Sequence, residues 1–466
     1  MKKILLTVIF LSVVLLLAVP GFMGWQTEKT MQNMVDQVSE LPDYKAHWQS
    51  YERGWFTSRG VLLVELTRLA DFSADQQAVS LPVEFDLQHG PVLFKSGVKL
   101  GWFSLDVLLN DAQEHYLKNI VTVAQPGPLY HLSASMSLLG NTSFSDRWLP
   151  FTYNSPSLIV SAESLVGQGA IGVDQRVNYA FVLPKITFSL KSAAASSTNK
   201  NMILGDLSST FDVDLSRLQQ SNIAPARVRL GVASLVMDTV FSMANFNMMA
   251  VTEFNADNTL LNSQTQLSVE HIKGLANAMP VEFKQLNVDL AYSNIALQFI
   301  EHYQALMAKP IGENAAADFY QQKLGTLVLE ELLPHSPKLA LNKLSFSSDM
   351  GAMQLQSQLS IDGPALAGAG LNPQNPLGLV PYMFFTLNAK GDKTQVLALL
   401  QQYMASQITQ SGGSADNTAA QNNAQMLLES LVAQGFVVVE QDQVSFDFNL
   451  AKGQATLNKK PFPLPF

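Results

Sequence analysis

The sequence predicts an α+β protein. An N-terminal transmembrane helix leads into a large, mostly antiparallel β-rich body with helix pairs packed on the sheet. A strand-helix-helix-strand duplication forms the C-terminal third. Three observations carry this expectation: an uncharged apolar run behind two lysines, long stretches of strict apolar/polar alternation, and two helix-pair patterns set between strands.

The apolar run comes first. Lys2 and Lys3 precede Ile4–Val19, in which only Thr7 and Ser12 are polar, and no charge occurs before Glu28. Taken to Trp25 as a helix, the run is roughly 33 Å long, enough for a hydrocarbon core of about 30 Å. Residues 1–25 are therefore expected to be a membrane anchor whose basic start stays cytoplasmic. A cleaved leader is the alternative, but Ala18-Val19-Pro20 and Phe22-Met23-Gly24 are poor processing sites. Residues 26–42 follow as a juxtamembrane helix, with Met31, Met34, Val35 and Val38 at helical spacing, acting as a spacer between anchor and body.

From residue 43 the period changes to two. Val83, Phe85 and Leu87 alternate with Glu84, Asp86 and Gln88; Ile186, Phe188 and Leu190 alternate with Thr187, Ser189 and Lys191. Phe211, Val213 and Leu215 alternate with Asp212 and Asp214. One apolar and one polar face per strand marks half-buried antiparallel sheet, and residues 43–280 read as a β-rich N-terminal body. Residues 281–363 and 380–466 then form two α+β units. In the first, a strand with Leu286, Val288 and Leu290 leads into helices carrying Ile295, Phe299, Tyr303 and Leu306 and ending before Pro334. In the second, Phe385 and Leu387 lead into Leu397, Leu400, Met404 and Ile408, then Leu427, Leu428, Leu431 and Val432. Residues 411–423 read as a loop.

Composition narrows the function classes. Of 466 residues, 47% are hydrophobic and 14% charged, with a net charge of −9. A chain with no basic face has no means of displacing counterions from phosphates, so no nucleic-acid partner is expected. With no cysteine, disulfides, thiol catalysis and cysteine-ligated metals are excluded. The seven histidines show no metal-binding spacing. Gly167, Gly169 and Gly172 match G-x-G-x-x-G, but the following residues read as strand, so a glycine-rich hairpin turn is expected. No catalytic, cofactor or metal site is assigned, and the protein is not expected to be an enzyme.

Two local motifs remain. "HWQSYERGWFTSRG" (47–60) reads as the opening hairpin, with Trp48 and Tyr51 on opposite strand faces. Arg53-Gly54 makes the turn, and Trp55 and Phe56 can fold back over the sheet or over Arg53. "QHGPVLF" (88–94) sets His89 beside a turn fixed by Gly90 and Pro91. Together with the apolar N-terminus, Trp48, Tyr51, Arg53, Gly54, Trp55, Phe56, His89, Gly90 and Pro91 resemble the YdgA family of bacterial envelope proteins. That resemblance implies a body held in the periplasm at the inner membrane through residues 4–25, and carries over no active site. The expected function is binding of a lipid or other hydrophobic ligand along a curved sheet, with the Met-rich 236–251 as a candidate lining. The alternative is a scaffold for envelope protein complexes.

Overall fold

The computed structural model describes residues 20–22, 24–29, 31–33, 35–36, 39, 44–66, 79–95, 97–110, 121–191, 200–218, 223–238, 240–276, 279–307, 323–366, 369–371, 376–410 and 417–464. Within these the chain is mostly antiparallel sheet. It divides into two compact units, Met1–Asp212 and Val213–Phe466.

In the first unit the strands are β1 (Tyr44–Arg53), β2 (Thr57–Leu66), β3 (Val79–His89), β4 (Val92–Leu93), β5 (Lys99–Asn110), β6 (Val121–Val123), β7 (Pro128–Ser137), β8 (Thr142–Trp148), β9 (Phe151–Asn154), β10 (Leu158–Ala162), β11 (Leu165–Ile171) and β12 (Arg176–Leu190). The unit boundary falls within β13 (Lys200–Asp214). Strands β1, β2, β3, β5, β7, β8, β11 and β12 pair in that order, each antiparallel to the next.

The second unit holds β14 (Ala226–Met237), β15 (Phe241–Phe254), β16 (Leu260–Ala276), β17 (Met279–Ala296), β18 (Lys338–Ser348), β19 (Gly351–Ile361), β20 (Met383–Asp392), β21 (Val438–Glu440), β22 (Gln443–Ala451), β23 (Gln454–Leu457) and β24 (Lys460–Phe462). Strands β14 to β20 pair in sequence, and β22 joins β20. The helix Leu297–Met307 lies between β17 and β18, and helices Lys393–Gln410 and Asn417–Ala433 lie between β20 and β22. Both helical excursions thus leave one strand and return on its antiparallel neighbour.

The register explains the alternation. One row across the sheet holds Leu230, Met248, Leu267, Val288, Leu344 and Leu355 and continues through Ala389 and Phe446. Directly paired residues of antiparallel strands point to the same face, so this face is apolar. The next row on the same face includes Val228, Leu290, Leu341, Leu387 and Phe448. The opposite face carries Gln266, Asp289 and Lys343, with Gln356, Asn388 and Asp447 further along. Asp289 there accepts hydrogen bonds from Gln264, Gln266 and Asn342, which outweigh burial and hold its carboxyl below the usual range.

Four expectations are corrected. The fold is dominated by sheet, and no helix among the described residues is long and apolar enough to cross a membrane, so the expected transmembrane helix is not supported. Residues 4–19 lie outside the described residues. The described helical residues from 20 onward carry Gln26, Glu28, Lys29, Gln32 and Asp36, and Pro20, which the expected span included, is buried against protein.

The second correction concerns Gly167 and Gly169, which sit within β11 and not in a turn. A side chain at Gly167 would strike Asp146 and Tyr179, and one at Gly169 would strike Phe144. Glycine here makes room for neighbouring strands' rings, and only Gly172 belongs to the turn. Third, residues 417–423 begin a helix, and 411–416 lie outside the described residues. Fourth, a bulge between Trp48 and Ser50 shifts the β1 register. Trp48 and Tyr51 consequently share one face, against the expectation from strict alternation.

Candidate functional site

The motif residues converge at one end of the first sheet, where they form a socket for the N-terminal helical segment. The bulge in β1 turns both Trp48 and Tyr51 toward Phe85 of β3. The ring centroids lie 5.5 Å (Trp48–Tyr51), 5.0 Å (Trp48–Phe85) and 5.7 Å (Tyr51–Phe85) apart. Gly60, paired with both Tyr51 and Phe85, has no Cβ because the Phe85 ring occupies that space, 2.6 Å from where a Cβ would stand.

Above this cluster lies a polar pair. His89 and Ser58 are each 1% exposed, and His89 Nε2 lies 2.9 Å from Ser58 Oγ. Among the described residues His89 Nδ1 has no hydrogen-bond partner. Burial first, and the Arg53 charge second, lower the His89 pKa and hold the ring neutral. The Tyr51 hydroxyl is also buried without a well-formed hydrogen bond. Burial raises its pKa, an effect opposed by the nearby Ser58 hydroxyl.

Gly54 closes the β1–β2 turn, its N–H donating to Thr57 O at 2.7 Å. His89 N–H donates to Phe56 O at 2.7 Å and Gly90 N–H to Trp102 O at 2.7 Å. The Gly90–Pro91 peptide is cis. A side chain at Gly90 would collide with the Gly101 carbonyl, which fixes glycine at this point of the motif.

The helical segment occupies the socket through Gly21, Gly24 and Glu28. This i, i+3, i+7 spacing places them on one helix face. A Cβ on Gly21 would stand 3.0 Å from the Trp55 indole, and one on Gly24 would stand 3.1 Å from His89 Nε2. Glu28 Oε2 lies 2.6 Å from Arg53 Nη1. Further along, Ser39 Oγ donates to Ala46 O at 2.8 Å and accepts from Ala46 N–H at 3.1 Å, tying the segment to β1. The expected spacer helix is therefore packed on the body. The Arg53 guanidinium is engaged by Glu28. Trp55 and Phe56 themselves stand more than half exposed or nearly so, at 57% and 48%.

A match to the model of a bacterial protein family of unknown function, DUF945, extends over residues 1–465. The chain belongs to the DUF945 family. Comparison with curated proteins and with solved structures gave no match.

In this DUF945 chain the Ser58–His89 pair has the spacing of a nucleophile and base, but Gly24 covers the imidazole, and among the described residues no carboxylate orients Nδ1. The helical segment thus packs directly over this pair. The other histidines with described partners lie against carboxylates: His131 against Asp106 at 3.1 Å, His271 against Glu282 at 2.6 Å and His302 against Glu331 at 2.8 Å. Among the described residues no group of three or more His, Asp or Glu side chains converges as a metal site.

Sequence reasoning missed Ser58 and the docking face of residues 21, 24 and 28. The signal for the latter was present: two glycines and a glutamate at helical spacing, opposite an arginine and an aromatic pair. The expected boundary at Trp25 divides it, leaving Gly21 and Gly24 in the anchor and Glu28 in the juxtamembrane helix.

Proposed function

We propose that this DUF945 protein is a non-enzymatic protein of the bacterial envelope that binds a lipid or another apolar ligand along the open apolar face of the sheet in its second unit. The observation that carries the reading is the state of that face at β17 and β18. Leu290, Tyr292 and Leu339 stand 44%, 40% and 56% exposed in the apolar rows. The helix Lys393–Gln410 packs over β19, β20 and β22, and the helix Leu297–Met307 meets β17 near its end. None of the row residues Leu230, Met248, Leu267, Val288, Leu344 and Leu355 is fully buried. Water-exposed apolar rows of this extent suit a flexible apolar ligand. Met248 and Met243 in the Met-rich stretch add adaptable surface beside them.

The polar face is a poor host for such a ligand. A cavity of about 480 Å³ opens there, lined by Gln354, Gln356, Asn388, Lys390, Asp447 and Asn458. The aromatic segment from Trp48 to Phe56 and the His89–Pro91 turn support the narrower placement among YdgA-type envelope proteins.

The test is photo-crosslinking of the full chain with a diazirine fatty acid, followed by peptide mapping. Adducts are expected on peptides of β16 to β18 and should be competed by oleate. The double variant Leu290→Lys, Leu339→Lys should lose most of the adduct without a change in melting temperature. Adducts that are absent, or equally frequent on the polar face of β19 and β20, would overturn the reading.

A further inference from the structure

One rim of the first sheet collects exposed apolar side chains at every turn. Because β1, β2, β3, β5, β7, β8, β11 and β12 are successive antiparallel neighbours, alternate connections fall at the same end. The β1–β2, β3–β5, β7–β8 and β11–β12 connections therefore share a rim. Each carries large apolar groups into solvent: Trp55 and Phe56, then Phe94 and Val98, then Leu139 at 81% exposure and Val173 at 66%. At the opposite end, the described turn residues 124–127, 155–157 and 163–164 hold no exposed aromatic or large aliphatic side chain. Scattered surface apolar residues are ordinary, and Val166, Val182 and Leu190 on β11 and β12 are of that kind; the recurrence of such residues at all four connections of one rim marks an interaction surface.

The N-terminal helical segment lies on the same rim. With Gly21 and Gly24 turned inward, its outer side presents Phe22 and Trp25, whose centroids lie 6.1 Å apart. Lys29 Nζ stands 4.0 Å from the Trp25 ring centroid. Pro20, fully buried here, is joined directly to the apolar stretch Ile4–Val19.

We infer that this rim seats on a lipid bilayer surface, with the turn tips entering the boundary between headgroups and acyl chains. The chain places its apolar stretch immediately before the rim. Exposed aromatic and aliphatic tips interleave with charges: Lys99 beside Val98, and Asp174 and Arg176 beside Val173. An apolar segment of the same chain laid over the rim would strip water from those charges. A bilayer interface supplies water and headgroups at the depth where the charges stand, while aromatic rings prefer that zone. The inference concerns the first unit and is independent of ligand binding on the second.

The absence of cysteine makes the test clean. Single-cysteine variants of the full chain at Leu139, Val173, Gln125 and Ser157, all surface positions, are labelled with bimane and mixed with phosphatidylcholine vesicles carrying nitroxide at the headgroup or along the acyl chain. Unchanged thermal melting verifies the fold of each variant. Labels at 139 and 173 should be quenched several-fold more strongly than those at 125 and 157, most strongly by shallow nitroxides. Equal quenching at both ends would overturn the inference. So would unquenched tip labels accompanied by crosslinks from position 139 into residues 4–19, which would assign the rim to the chain's own apolar stretch.

Discussion

Trp48 and Trp55 are seven residues apart in one aromatic motif, yet the structure assigns them different consequences on removal. Trp48 is partly buried and meets Tyr51 and Phe85 edge-on at 5.5 and 5.0 Å. Truncation to alanine removes roughly 150 Å² of buried apolar surface, about 4 kcal/mol at ~25 cal/mol/Å². This lies within the ~3–5 kcal/mol span typical of Trp→Ala at packed sites. Trp55 is 57% exposed and its indole covers Gly21, so Trp55→Ala should cost at most about 2 kcal/mol. That loss falls on the helix–hairpin contact before it reaches the sheet. Urea unfolding of the full chain followed by far-ultraviolet circular dichroism should therefore show a much lower midpoint for Trp48→Ala and a small shift for Trp55→Ala. Limited trypsinolysis should show the reverse, with faster cleavage after Lys29 in Trp55→Ala. A midpoint shift for Trp55→Ala equal to or larger than that for Trp48→Ala would refute this division of roles.

Two other outcomes follow from buried polar groups. His89 has a pKa held below its ordinary 6.5 by burial and then by Arg53, so the unfolded chain binds a proton more readily than the folded one. Its contribution is fully present above about pH 6.5 and is lost as pH falls through the lower folded-state value; His89→Gln should flatten the slope of unfolding midpoint against pH between 7 and 5, and parallel slopes would contradict the assignment. At Gly167, an added methyl would displace the Tyr179 hydroxyl, which donates to Asp146 at 3.0 Å; Gly167→Ala is expected to cost about 1–3 kcal/mol by overpacking, read as a lower urea midpoint, and an unchanged midpoint would show that β11 yields.

The strands around Phe85, Phe188 and Phe211 are legible because alternation is a direct consequence of the pleat. What alternation cannot report is an interruption of itself. The bulge at Gln49 inserts one residue, so the parity rule that separates Trp48 from Tyr51 reverses, and a predicted two-faced hairpin becomes a three-ring cluster with Phe85. Glycine was misread for a related reason. In one sequence Gly167 looks like a turn residue, because the ring that needs its missing Cβ belongs to Tyr179 on another strand. His89 was flagged as a turn residue with a polar edge, but its burial depends on Gly24, sixty-five residues away.

The same limit applies to function. Periodicity says which side chains share a face; it does not say what covers the face. Val288 and Leu87 both occupy apolar positions of alternating strands, yet Leu87 is 1% exposed while Val288 lies in rows that open to solvent at Leu290 and Leu339. The difference is made by what each sheet meets: the first is closed at His89 by a helix that carries glycine where the contact is tightest, and the second is covered by helices toward β20 and β22 and left open at β17 and β18. A protein that buried every apolar row would gain about 1.5–3 kcal/mol for each leucine fully covered. Leaving Leu290 and Leu339 in water forgoes that stabilisation, and the apolar ligand proposed for this face would recover it by covering them.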